Sequence, residues 1–381
     1  MFPAGTLLAP TMSAVGAAAG LVRSLRRDLG TLANLGPRKA AAEVRALLPG
    51  AAARRSTGSD AGYPVGFPID LVYTWVDGAD PIWRARRDAA WAAANPGEHS
   101  TLAANPSRYA NRDELRYALR SLAVHADWVR TIYIVTDRQV PPWLNLEHPR
   151  VRVVDHTAIF AGGAGLPTFN SHAIESRLHH IEGLAEHYLY LNDDMFFGRP
   201  CVPEDFFVGN GLARLFPSPK PLPDGPPGPG DTPVEAAGKN NRELLTVRFG
   251  QAPAQRFLHA PYPQLRSVVA EMAELFAEDF DRTGHSRFRH PSDISVPAAL
   301  TGNYAYLTAR AVPGTLSYGY VDLADPRLAR RLHRLRATRP QVFCLNDHAG
   351  LGEDPAAVDA AVRAFLDRYF PQRSPFERTP R

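Results

Sequence analysis

The sequence predicts an α/β fold on a mostly parallel sheet, and three observations carry that expectation. Short runs that are apolar throughout, rather than alternating, recur between helical segments, as strands covered on both faces do. Several of these runs end in a carboxylate or an Asn-Asp pair, and in open α/β sheets ligands bind at that C-terminal edge. The densest is HYLYLNDDMFFGR, residues 187–199, in which Tyr188–Leu191 lead into Asn192, Asp193 and Asp194 before an aromatic stretch closed by Gly198. Two adjacent acids at a strand end suit a divalent cation bridging phosphate oxygens. Capping of the next turn is the plainer role for such a pair, but capping needs no aromatic enclosure on the far side.

Taken in order, residues 2–22 lack charge, yet Ala and Gly dominate, Pro3 and Pro10 interrupt, and no basic residue precedes them. Neither a signal peptide nor a membrane span is expected there. Residues 1–66 read as a basic, Ala/Arg-rich extension whose helical part suits an anionic membrane surface or, equally, docking on the body. The compact domain is expected over 67–381. Its first strand spans Ile69 to Val76 and ends at Asp77-Gly78, where Asp77 fits a nucleotide pocket or an ordinary turn. Residues 84–104 read as helical. In the next helix Asn111 is a candidate N-cap with Glu114 three residues on, and Leu115, Leu119 and Leu122 mark the apolar face. Arg112, Arg116 and Arg120 line another face; such a row is usually solvated or salt-bridged, and it also suits a diphosphate.

Strands follow at Ile132–Thr136 and at 151–156. Residues 169–184 read as one amphipathic helix capped by Asn170 or Ser171, with His172 and Glu175 as a minor metal-ligand alternative to surface decoration. Residues 216–233, mostly Pro and Gly, are expected to form no regular element and to act as lid or linker. A helix from Leu265 to Phe280 is flanked by Arg256, His259 and Tyr262 on one side and Arg287, Arg289, His290 and Asp293 on the other. Imidazoles and guanidiniums together suit proton transfer and phosphate neutralisation. Residues 341–350 repeat the strand-to-Asn-Asp pattern at Asn346 and Asp347, and a capped amphipathic helix closes the chain.

Composition narrows the class. A net charge of +4 concentrated partly in the first 60 residues is no nucleic-acid footprint. Cys201 and Cys344 make neither a disulfide framework nor a zinc motif, which fits a reducing, cytoplasmic setting with at most peripheral membrane contact.

Four blocks together resemble the Stealth family: IDLVYTWVDG; NRDELRYALRSL through YLNDDMFFG; FLHAPYPQLRSVVAEM through SRFRHPSDIS; and VFCLNDHAG. They occur in the family's order from about residue 67 onward. The resemblance implies a Rossmann-like, A-type glycosyltransferase-like domain. It also implies a UDP-sugar donor, a divalent cation (Mg2+ or Mn2+), a glycan or polysaccharide acceptor, and transfer of hexose-1-phosphate with release of UMP. Its functional positions fall on Asp77, on Asn192, Asp193 and Asp194, on His259 and Arg289, and on Asn346 and Asp347. Within that scheme Asp193, Asp194 and Asp347 are expected at the metal, His259 as the base, Arg289 on the phosphoryl oxygens, and Asp77, Arg112, Arg116, Asn192 and Asn346 around the donor. Two alternatives stay open: a glycosyltransferase releasing UDP, and a non-catalytic binder of anionic polysaccharide.

Overall fold

The computed structural model describes residues 63–94, 109–228, 230–253, 255–347 and 354–379. In chain order the elements are β1 (Ile69–Thr74), α1 (Pro81–Ala93), α2 (Glu114–His125), β2 (Ile132–Thr136), β3 (Val151–Asp155), α3 (His156–Ile159), α4 (Ser171–Glu175), β4 (His187–Asn192) and β5 (Met195–Phe197). There follow β6 (Ala213–Leu215), β7 (Pro217–Pro221), α5 (Pro233–Phe249), β8 (Gln255–Phe257), β9 (Tyr262–Leu265), α6 (Arg266–Leu275) and α7 (Ala277–His285). The chain continues through α8 (Thr301–Leu307), β10 (Ala311–Pro313), β11 (Tyr318–Asp322), α9 (Leu328–Thr338), β12 (Val342–Asn346) and α10 (Pro355–Tyr369).

The predicted α/β class and mainly parallel sheet are present. The main sheet runs β3-β2-β1-β4-β9; its first four strands are parallel and β9 is antiparallel to β4. Leu71, Val72, Ile134, Val135, Leu189 and Leu191 are fully buried, which is why these runs show no polar alternation. A second sheet, β11-β12-β5, has β11 and β12 parallel across α9 and β5 antiparallel to β12. Between β4 and β5 lie only Asp193 and Asp194, so the acid pair occupies the turn by which the chain leaves one sheet for the other. Gly198 closes that passage because a Cβ there would meet the Pro340 carbonyl oxygen at 2.4 Å.

Four expectations need correction. The segment 169–184 is not one helix: α4 is a single short piece, followed by one tight turn at Leu178–His180. Asn170 does cap it, with Oδ1 accepting from His172 N, but Ser176 Oγ bonds back to Ala173 O at its end, a pattern that bends helices. Residues 265–280 split at Phe276, which leaves helical geometry (φ −114°, ψ 42°) and buries its ring edge-on to Tyr304. The Pro/Gly segment opens with β7, paired to β8, and the rest is tied to α5 through Lys239–Asp231 and through Arg242 donating to Pro223 O and Gly225 O. A two-stranded edge tolerates proline because few of its amides have ladder partners. Finally, Asp113, in the left-handed region (φ 67°), stands at the N-cap position of α2 without a side-chain capping bond, while Asn111 Oδ1 accepts from the Asp113 amide.

The expected extension falls outside the described residues except for 63–66. No helix among the described residues is long and apolar enough to cross a membrane.

Candidate active site

The site grows from the turn between the two sheets. Pairing of Met195 with Cys344 in β5 and β12, with Leu345 N donating to Asp194 O, brings the end of β12 against the acid pair. Strand alternation then sets Cys344 and Asn346 on one face. The Cys344 thiol donates to Asp194 Oδ2 (3.3 Å) and Asn346 Nδ2 reaches the same oxygen at 3.5 Å. From the loop before β9, His259 places Nε2 3.7 Å from Asp194 Oδ1, while its Nδ1 meets the Tyr262 hydroxyl at 3.1 Å. Burial, then the neighbouring Cys344, Glu175 and Asp194, hold the Tyr262 hydroxyl protonated far above its ordinary range.

Behind the pair sits a buried guanidinium. Arg112 donates to Asp347 Oδ2 (2.7 Å), reaches Glu114 Oε1 (3.3 Å) and pairs with Asp359. Burial raises the Glu114 carboxyl despite that cation. Burial, with the Glu114 and Asp194 carboxylates close by, pushes Asp193 well above the usual carboxylate range. More carboxyl groups are thus gathered here than Arg112 alone compensates.

A cation fits that imbalance. Asp194 Oδ1 and Asp347 Oδ1 are buried with no hydrogen-bond partner among the described residues, and orphaned carboxylate oxygens are the donors a hard divalent ion takes. Among the described residues the group offering ligand atoms within 4.8 Å of one another is Asp194, His259 and Cys344; the expected Asp193 and Asp347 do not join it. The thiol, however, is pushed well above its ordinary range by burial and by Asp194, so it stays protonated and serves as a donor to the carboxylate.

The other predicted residues lie as follows. Asn192 closes β4 in register with Thr74 of β1, at the sheet edge. Asp77 accepts from Ala79 N in a tight turn, with its amide bonded to Gln139. Arg289 donates to Ser171 Oγ at the start of α4 (2.7 Å). Arg112 and Arg116 do not present free guanidiniums to a diphosphate: the first is spent on three carboxylates, and Arg116 converges with Arg120 on the buried Glu377. His172 and Glu175 do not converge either, since His172 faces Asp293 (3.4 Å) and Glu175 accepts from Tyr190. The roles of Cys344 and Glu114 were missed. The signal for Cys344 is its place two residues before Asn346, which sets both on one face, whereas Glu114 reads from sequence alone as a helix-start residue.

Four conserved-region models of the Stealth protein match the chain: CR1 over residues 67–90, CR2 over 108–215, CR3 over 258–306 and CR4 over 333–381. An exopolysaccharide phosphotransferase of Streptomyces coelicolor is 54% identical over 318 residues, covering 83% of this chain and 53% of that protein. Exopolysaccharide phosphotransferase CpsY of Mycobacterium tuberculosis is 44% identical over 317 residues, covering 82% of this chain and 59% of that protein. The chain therefore spans little more than half the length of these relatives. Among solved structures, the galactosyltransferase LgtC aligns with a TM-score of 0.38 and 12% identity, covering 82% of this chain and 97% of that one.

Proposed function

The chain belongs to the Stealth family, and from that premise we propose that it transfers hexose-1-phosphate from a UDP-sugar to a hydroxyl of a glycan acceptor. The names of its relatives support phosphotransfer onto exopolysaccharide. The observation that carries the reading is the meeting of Asp194, His259 and Asn346, each from a different conserved region, at one sheet junction.

The acceptor oxygen attacks the phosphorus that bears the sugar. A P–O bond forms there, the bond to the bridging oxygen breaks, and UMP departs with that oxygen, so the sugar C1–O bond survives. Displacement at phosphorus needs positioning and charge neutralisation more than covalent help. A divalent cation held by Asp193, Asp194 and Asp347 would supply charge neutralisation on the diphosphate oxygens. His259 is assigned as the base that takes the acceptor proton at Nε2, in the tautomer whose hydrogen sits on Nδ1 toward Tyr262 Oη. Once formed, the imidazolium faces the Asp194 carboxylate across 3.7 Å. Arg289, steered by Ser171, is assigned to the transferring phosphoryl oxygens, and Asp77, Asn192 and Asn346 to the donor.

A donor labelled at the sugar-bearing phosphorus tests this directly. The label is expected in the acceptor product; label found only in the released nucleotide sinks the proposal.

A further inference from the structure

The β11–α9–β12 unit carries a feature that the reaction above does not use. From Arg327 to Arg339 the sequence contains Arg330, Arg331, Arg334, Arg336 and His333 and no acid. Arg327, Arg330, Arg331 and Arg334 stand at i, i+3, i+4 and i+7, on one face of α9, and line a single groove of about 180 Å3. Asp325 pairs with Arg331 (2.9 Å) and lies 3.6 Å from Arg327. The guanidiniums of Arg330 and Arg334 have no hydrogen bond or ion pair among the described residues; the Arg334 carbonyl accepts from Thr338 Oγ1.

This arrangement costs the free protein stability in two ways. Like charges at helical spacing repel. Cations in the first turn also oppose the helix dipole, which favours anions there. Helix formation does not explain it, so an anionic ligand is the natural counterpart. Position supplies the second argument. α9 connects the parallel strands β11 and β12, so its N-terminus lies at the strand edge where Asn346 ends β12 and Leu323 N bonds to Asn346 O. A chain leaving the Cys344 face reaches the groove over that edge, because Gly319, against Leu335, faces α9 while Tyr320, in register with Cys344, faces away from it.

We propose that the arginine face of α9 is a secondary subsite for a polyanionic, phosphodiester-bearing glycan, holding the acceptor chain as it leads away from the acid cluster. The proposal rests on the phosphosugar-transfer reading, since that reaction adds one negative charge to its product at each turnover. Guanidinium forks suit such phosphates, and multiple contacts make the affinity fall with salt.

The test measures binding to the whole protein of fluorescent poly(glycerol phosphate), obtained as deacylated lipoteichoic acid. Neutral dextran of similar length and phosphatidylglycerol vesicles serve as comparisons. Arg330→Ala/Arg334→Ala is expected to weaken polyphosphate binding about tenfold or more and to flatten its salt dependence, with thermal stability kept or slightly raised. Equal binding by variant and wild type, or equal binding of dextran, overturns the subsite. A loss confined to vesicles overturns it too, in favour of a membrane surface. Binding needs no turnover, so a failure of phosphosugar transfer is seen separately, as absence of UMP from the wild-type protein.

Discussion

His259 Nε2 stands 3.7 Å from Asp194 Oδ1, although the two residues arrive from different loops and different conserved regions. The far side of the imidazole is fixed by Tyr262, so the ring has one edge for orientation and one for chemistry. Replacing His259 by Ala is expected to lower turnover about 10²- to 10⁴-fold, the range for loss of a general base, with donor KM nearly unchanged. Asp194→Asn is expected to abolish turnover with the fold intact. Steady-state kinetics and circular dichroism check both, and full activity in either variant removes the assigned role.

Much of this architecture was legible because β1, β2 and β4 are buried on both faces and their residues say so. The acid pair was legible for the same reason: nothing but a strand end accounts for Asp193-Asp194 between apolar runs. Helix α5 was not expected, although Thr232, Pro233 and Glu235 spell a capping box with proline at the first helical position. Its many polar residues and the preceding prolines masked the signal. Arg112 could not be placed from sequence, because its partners Asp347 and Asp359 come from the far end of the chain. Helical spacing put it in a row with Arg116 and Arg120, and spacing says nothing about which carboxylates fold back onto each.

Arg112 is the protein's own counter-charge to the acid cluster, with an exposure of 5%. Arg112→Ala leaves Glu114 and Asp347 without it, and breaking a buried pair in this way costs about 3–5 kcal/mol. Urea denaturation is expected to show that loss, with a larger gain on adding Mg2+ than the wild type shows. An unchanged midpoint contradicts the assignment.

Glu377, paired with Arg116 and Arg120, is a second buried carboxylate held by this arginine row. Burial pushes its carboxyl up, but hydrogen bonds from Arg120, the Ser374 amide and Arg116 outweigh burial and hold it at about 2. A carboxyl depressed below its unfolded value contributes stability that is present above about pH 4.5 and is lost as pH falls through about 2. Glu377→Gln is expected to lose about 3 kcal/mol at pH 7, leaving two arginines uncompensated, and to respond less to acid over that window. Urea midpoints at pH 7 and pH 3 measure this; parallel pH dependence of variant and wild type would count against it.

In the proposed reaction phosphorus, not the anomeric carbon, is attacked at the Asp194–His259 site. The most direct measurement identifies the nucleotide released when the protein meets a UDP-sugar, a divalent cation and a glycan acceptor. Acceptor-dependent UMP, absent from His259→Ala, is the predicted result, whereas acceptor-dependent UDP contradicts it and makes the same site a glycosyltransferase's.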